Sequence, residues 1–230
     1  MGVTKHGSNL IQITRLGAFS CFLVKENDGF SLIDTGLPGS AKMILDTANA
    51  LGAPIRRILL THAHTDHAGS LDALSAKLPD VSIMISSREA RLLARDFGLE
   101  TNEPQNKLRG TFNKTKTQPT QLLQDGERIG SLEVVASSGH TPGHVSFFDT
   151  RDGTLISGDA FANVSRTIVT GSLDLLFPFI AFATWDKPRA LESAKRLLAL
   201  EPSRLAASHG AVLEQPQAAM QRAIDAVRLS

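Results

Sequence analysis

Residues 55–70, Ile-Arg-Arg-Ile-Leu-Leu-Thr-His-Ala-His-Thr-Asp-His-Ala-Gly-Ser, constrain this chain more than any other stretch. Ile55, Ile58, Leu59 and Leu60 have the length and aliphatic content of a buried strand, and Gly69-Ser70 opens a helical pattern through Leu71, Leu74 and Leu78. His62, His64, Asp66 and His67 therefore fall on a strand-to-helix loop, where side chains converge that a straight strand would send to opposite faces. Neutral imidazole and carboxylate are ligands suited to zinc, iron or manganese. The chain has seven histidines, at 6, 62, 64, 67, 140, 144 and 209, so three within six positions mark a metal site rather than scattered surface residues.

The flanking segments predict alternating strands and helices. Ile11 to Leu16, Phe19 to Val24 and Phe30 to Ile33 read as strands, the last two joined by an Asn27-Asp28-Gly29 turn. Asp34-Thr35-Gly36 ends the third strand. Ser40 reads as the N-cap of a helix carrying Met43, Ile44, Ala48 and Leu51, closed by Gly52. After the metal strand and its helix come a strand at Val81 to Ile85 and a helix through Phe97, with Ser86 and Glu89 as a capping box. Glu100 to Thr120 loses periodicity and reads as a long solvated loop. Its cations, Lys107, Arg109, Lys114 and Lys116, offer an anionic substrate as the alternative.

Strand character returns at 122–123, 132–136, 145–148 and 155–157. Two of these runs lead into further candidate ligands, Gly139-His140-Thr141-Pro142-Gly143-His144 and Gly158-Asp159. Leu173 to Ala183 is apolar but broken by Pro178, and fits either core or a lid. Asp186 caps a helix with Pro188 near its start, Arg204 to Ala207 is a strand ending at Ser208-His209-Gly210, and a last helix spans about 216–229. The whole chain, 1–230, reads as a single domain with strands followed by helix in each half.

His62, His64, His67, His140 and His209 with Asp66 and Asp159 all follow apolar strands. Seven such donors exceed the four that one tetrahedral zinc takes, so two metals fit the count better. A net charge of +1 gives no general attraction to nucleic acid or to an acidic membrane, and neither partner is expected. Cys21, the single cysteine, lies in an apolar run and reads as a buried inert thiol. Met1 to Asn9 is polar, without a signal peptide's apolar core, and no stretch has the length of a membrane span, so a cytoplasmic protein is expected. His6 reads as a surface residue.

Thr61 to His67, Gly139 to His144, Gly158-Asp159 and His209-Gly210 together resemble, in order, the motifs of the metallo-beta-lactamase superfamily. The resemblance spans most of the chain and implies an α/β fold, a four-layer alpha-beta/beta-alpha sandwich. It further implies that His62, His64 and His140 hold one metal, that Asp66, His67 and His209 hold the second, and that Asp159 bridges them. By the same resemblance Asp34 supports a ligand without being one, and His144 shapes the loop after His140. Two divalent ions, zinc first and manganese or iron as alternatives, would activate a water for attack, with Asp66 orienting it and carrying a proton to the leaving group.

The expected substrate is a small molecule with an ester, thioester or lactone bond. Asp159 points away from true beta-lactamases, which lack that carboxylate. The hydroxyacylglutathione hydrolases resemble the ligand set but carry a helical domain after the last ligand, where this chain has 21 residues. Acyl-homoserine lactonases place a tyrosine after the bridging aspartate, and this chain has no tyrosine. The alternatives are a mononuclear iron enzyme resembling persulfide dioxygenases, a phosphodiesterase, and a non-catalytic metal-binding module. The oligomeric state is open, with a homodimer among the options.

Overall fold

The computed structural model describes residues 2–229; Met1 and Ser230, the ends of the range read as one domain, lie outside the described residues. The chain divides into two compact units, residues 2–95 with 112–123, and residues 96–111 with 124–229.

The first unit is built on a seven-stranded sheet, β1 (Gly2–His6), β2 (Leu10–Arg15), β3 (Phe19–Glu26), β4 (Gly29–Ile33), β5 (Ile55–Leu59), β6 (Ser82–Ser86) and β7 (Gln121–Leu123), ordered as in the chain. The first four strands pair antiparallel, and β4 through β7 run parallel. Parallel strands need crossovers. Here they are α1 (Ala41–Ala50), the short turns α2 (Thr65–Ala68) and α3 (Leu71–Ser75), and α4 (Ser87–Leu93). Every residue of β4 is buried, as expected of a strand covered on both faces, and Phe22, Leu23, Leu32, Ile44, Ile58 and Leu71 fill the core around it.

The second unit carries a six-stranded sheet of β8 (Arg128–Ile129), β9 (Leu132–Ala136), β10 (Val145–Asp149), β11 (Thr154–Gly158), β14 (Arg204–Ala207) and β15 (Leu213–Glu214), in the order β15-β14-β11-β10-β9-β8. Its one parallel pairing, β11 with β14, encloses a two-stranded ribbon, β12 (Phe161–Asn163) and β13 (Thr167–Val169), then α5 (Phe179–Ala183) and α6 (Lys187–Leu198). Helix α7 (Gln217–Asp225) follows β15. Leu155, Phe161, Val169, Ala194, Leu197, Leu205 and Met220 form this unit's core. Asp186 caps α6 as expected, accepting from the Arg189 amide at 2.8 Å.

Several elements depart from the sequence reading. The polar residues 2–6 form the edge strand β1, and His6, taken for a surface residue, is half-buried with its Nε2 3.2 Å from Gln12 Oε1. Ser40 starts α1 but turns its hydroxyl back to the Leu37 carbonyl instead of capping the helix. Helix α4 stops at Leu93, short of Phe97, because Arg95 takes the left-handed conformation at φ 67°. Asp66 and His67 lie within the helical turn α2 and not on open loop. The ribbon β12–β13 carried no clear signal, since its strands are only three residues long. Segment 173–183 is neither all core nor all exposed: Phe177 and Ile180 are buried while Leu175, Leu176, Phe179 and Phe182 face solvent.

The stretch from Glu100 to Thr120 is held down at both ends. Asn102 and Asn106 accept from Arg189 and Trp185 through their carbonyls, at 3.2 and 3.1 Å. In the first unit, Asp72 accepts from the amides of Lys116 and Thr117 and from the Thr117 hydroxyl at 2.7 Å. Partial burial would raise the Asp72 pKa, but those donors outweigh it and hold the carboxyl below its usual value of 3.8. A lowered folded value means the tie is fully present at neutral pH and is lost only as the pH falls through that value. Asp72→Ala should therefore speed trypsin cleavage at Lys114 and Lys116 about tenfold at pH 7, for a loss of roughly 1.4 kcal/mol of local stability. An unchanged cleavage rate would show that the segment is held by other contacts.

Candidate metal centre

In the first unit the parallel ladder sets the ligands. Ile33 pairs with Leu59, so the chain leaves β4 and β5 side by side at their carboxyl ends, with Asp34 beside Thr61. The buried Asp34 carboxylate accepts from the Thr61 amide at 2.8 Å and the Thr61 hydroxyl at 2.8 Å. It also lies 2.8 Å from His67 Nδ1. A carboxylate only accepts, so His67 Nδ1 carries the proton and its Nε2 keeps the lone pair that a metal needs. Thr61, having given its proton to Asp34, accepts from His62 Nδ1 at 3.0 Å, which leaves His62 Nε2 as the donor atom.

That His62 Nε2 lies 3.1 Å from His64 Nδ1. Asp66 Oδ2 lies 3.7 Å from His67 Nε2 and is the one partly exposed member of this set. Glu89, fully buried on α4, accepts from the Ala63 amide at 2.9 Å and so holds the bend between His62 and His64. Phe112 bridges to the His64 backbone, with its ring 4.8 Å from the imidazole.

In the second unit the ligands again leave adjacent parallel strands. Gly158 pairs with Ala207 after a register shift in β11, so Asp159 and His209 emerge at one sheet edge. His140 comes from the β9–β10 connection. Gly139, at φ 137°, passes so close to α6 that a Cβ there would meet the Ala190 amide nitrogen at 2.3 Å, so this turn needs glycine. The Asp159 carboxylate lies 3.3 Å from His140 Nε2 and 3.2 Å from His209 Nε2. The Phe177 ring covers His209 at 4.6 Å.

The His140 tautomer is also set. Thr184 donates to the Ile180 carbonyl at 2.6 Å, so it accepts from Thr170 at 2.7 Å, and Thr170 accepts from His140 Nδ1 at 2.9 Å. Nε2 is left as the electron-pair donor. His144 differs in kind: its Nε2 accepts from the Asp159 amide at 3.0 Å and its Nδ1 donates to Ser137 at 2.9 Å. With both ring nitrogens in use, it holds Asp159 and does not ligate.

The donor set fits divalent ions. Two donors each about 2.0–2.1 Å from a tetrahedral zinc sit about 3.3 Å apart. The spacings within each unit, 3.1, 3.3 and 3.2 Å, match that value. Cys21 stays outside this chemistry, since burial pushes its thiol well above the usual range and keeps it protonated.

Of the residues read from the sequence, the first unit gathers His62, His64, Asp66 and His67, and the second gathers His140, Asp159 and His209. Asp34 supports His67 as expected. Thr61, Glu89, Phe112, Thr170 and Thr184 were missed as site residues. Glu89 carried a signal, as the capping-box glutamate, whereas Thr170 and Thr184 carry none in the local sequence.

An α/β chain whose strand ends present carboxylates and imidazoles, those of His62, His67 and His140 in set tautomers, has the design of a metal-binding enzyme scaffold. The chain belongs to the metallo-beta-lactamase superfamily, whose family model matches residues 15–209. It is 48% identical over 206 residues to protein YobT of Bacillus subtilis (strain 168), covering 89% of this chain and 88% of that one. It is 31% identical over 207 residues to a protein of the same organism described as "Probable metallo-hydrolase YflN", covering 82% and 78%. Among solved structures it resembles TTHA1623 in a di-iron-bound form, with a TM-score of 0.65 and 27% identity over 91% of this chain and 96% of that one. The fold is that of this superfamily, mixed α/β with several sheets, and among the described residues no helix is long and apolar enough to cross a membrane.

His144→Ala should weaken metal affinity about 10–100-fold, the usual cost of removing a group that orients a ligand, while full occupancy returns at saturating metal. Elemental analysis after equilibrium dialysis checks this. Loss of a whole equivalent at saturation would make His144 a ligand.

Proposed function

We propose that this protein is a dinuclear metal-dependent hydrolase of a small ester, thioester or lactone. The observation that carries the reading is the Asp159 carboxylate close to two imidazoles, 3.3 Å from His140 Nε2 and 3.2 Å from His209 Nε2. A carboxylate within reach of two imidazoles supports a role shared between two ions. In this reading His62, His64 and His140 would hold one ion, Asp66, His67 and His209 would hold the other, and Asp159 would serve both. Two divalent ions held there would lower the pKa of a water and polarise the bond under attack.

The residues of the chain supply orientation and proton transfer. Asp66, the partly exposed carboxylate beside His67, orients the attacking water and carries its proton to the leaving group. Asp34, Thr61, Thr170 and Thr184 keep the histidines in the tautomers that leave the correct nitrogen bare. Phe177 excludes water from one side of His209. A serine or cysteine nucleophile is not required, and Cys21 is buried away as a neutral thiol. Membership of this superfamily, with a relative described as a "Probable metallo-hydrolase", supports hydrolysis as the reaction class.

A screen of esters, thioesters, lactones and phosphodiesters with zinc-, manganese- and iron-loaded protein tests this. The ester, thioester or lactone class should turn over, and Asp159→Ala should lower bound metal and cut kcat/KM at least a thousandfold. Full activity in that variant would remove the bridging role.

A further inference from the structure

Two adjoining cavities in the second unit are lined by cations and, among the described residues, by no carboxylate. The first, about 590 Å³, has Arg166, Lys187, Arg222 and Arg228 on its walls. Its depth comes from α7, which turns Ala219 and Ala223, with Ala226 just beyond its end, toward the cavity instead of larger side chains. Gly171, at φ 84°, lies under Lys187: a Cβ there would meet Lys187 Cγ at 2.9 Å, so glycine lets the lysine stem lie across the opening. The second cavity, about 740 Å³, shares Gly171, Leu173 and Lys187 with the first and adds Lys107, Arg109, Phe182 and Trp185. It ends beside the metal site, since Thr184 on its wall lies 3.3 Å from His140 Nδ1 and the Trp185 amide donates to the His140 carbonyl at 3.0 Å.

Several cations elsewhere find carboxylates. Arg57 pairs with Asp28, Arg151 with Asp149, Arg196 with Asp125, and Arg204 with Glu214 and Asp152. Arg166, Lys187 and Arg222 make no ion pair among the described residues, and Arg228 reaches only the carbonyls of Asp225 and Val227. Among the described residues, four cations without a carboxylate partner thus gather around one concave place. Arginine forks and a lysine around a deep cavity match phosphate oxygens, and the neighbouring Leu173, Phe182 and Trp185 match an apolar or aromatic body attached to them.

We propose that Arg166, Lys187, Arg222 and Arg228 bind the phosphates of an organic anion whose apolar or aromatic part lies along Phe182 and Trp185. The anion is the leaving-group end of the substrate, a phosphate-bearing thiol or alcohol released when the acyl bond is cut. That identity rests on the hydrolase reading; the anion site itself does not. The cavity position also revises the sequence reading of Lys107 and Arg109, which line a cleft and are not merely solvated.

Trp185 is the single tryptophan and lines the cleft, so its fluorescence reports occupancy directly. Coenzyme A, which joins phosphates to an aromatic body and a thiol, should change that fluorescence saturably, and inorganic pyrophosphate should compete. Arg166→Ala and Arg222→Ala should each weaken binding about tenfold, more at low than at high salt, and Lys187→Ala should do the same. All three are exposed side chains, so the fold and the hydrolysis of a small neutral ester should be unchanged. Binding should persist in metal-depleted protein. No saturable signal at millimolar coenzyme A, or binding that ignores the three substitutions and vanishes with the metal, overturns the proposal. Should no acyl substrate turn over while the anion still binds through these cations, the hydrolase reading fails and the anion site stands.

Discussion

The first unit depends on one buried carboxylate. Asp34 is almost wholly removed from water, and a buried charge is costly unless its oxygens are fully hydrogen-bonded. The end of β4 provides that by bringing it against the Thr61 amide, the Thr61 hydroxyl and His67 Nδ1, all at 2.8 Å. Those partners belong to the end of β5 and to α2, so the same bonds that compensate the charge also lock three segments together. Asp34 itself sits at φ 60°, a conformation that aspartate tolerates better than most residues. Local strain is thus accepted where it aims the carboxylate at the ligand loop.

The second unit solves a related problem with hydroxyls. A neutral histidine ligates through the nitrogen that lacks the proton, and the run from His140 through Thr170 and Thr184 to the Ile180 carbonyl sets every proton in one direction, leaving Nε2 bare. A parallel run from His144 through Ser137 and Ser146 to the Ser157 carbonyl leaves His144 Nε2 free to accept from the Asp159 amide. The two histidines of one short motif therefore do different work, because their outer partners differ. Both runs pass through small hydroxyl residues on distant segments, so the site's precision comes from tertiary packing and not from the motif.

That division explains what was legible in the sequence. The strand ahead of Thr61, the histidine spacing from 62 to 67, and the glycines around His140 and Asp159 are local patterns, and β5, β11 and β14 each end where those patterns place the ligands. Asp34 was legible as a supporting residue for the same reason, lying directly after an apolar strand. Thr170, Thr184 and Phe112 were not, since each reaches its histidine from a segment whose own sequence is unremarkable. The edge strand β1 was missed because every residue from Gly2 to Lys5 is exposed and no apolar alternation marks it. The overlong helix at 87–97 came from apolar spacing that Arg95 interrupts by its backbone conformation, which spacing does not reveal. The loop from 100 to 120 read as solvated because its anchors, Asp72, Trp185 and Arg189, lie far away in sequence.

The proposed function requires that the candidate ligands serve a pair of ions. X-ray absorption spectroscopy on metal-loaded protein, with elemental analysis of the same sample, tests it most directly. The expected result is about two ions per chain, nitrogen and oxygen ligation without sulfur, and a metal–metal vector of about 3.5 to 4 Å. One ion per chain at saturating metal, or two ions with no such vector, would contradict it.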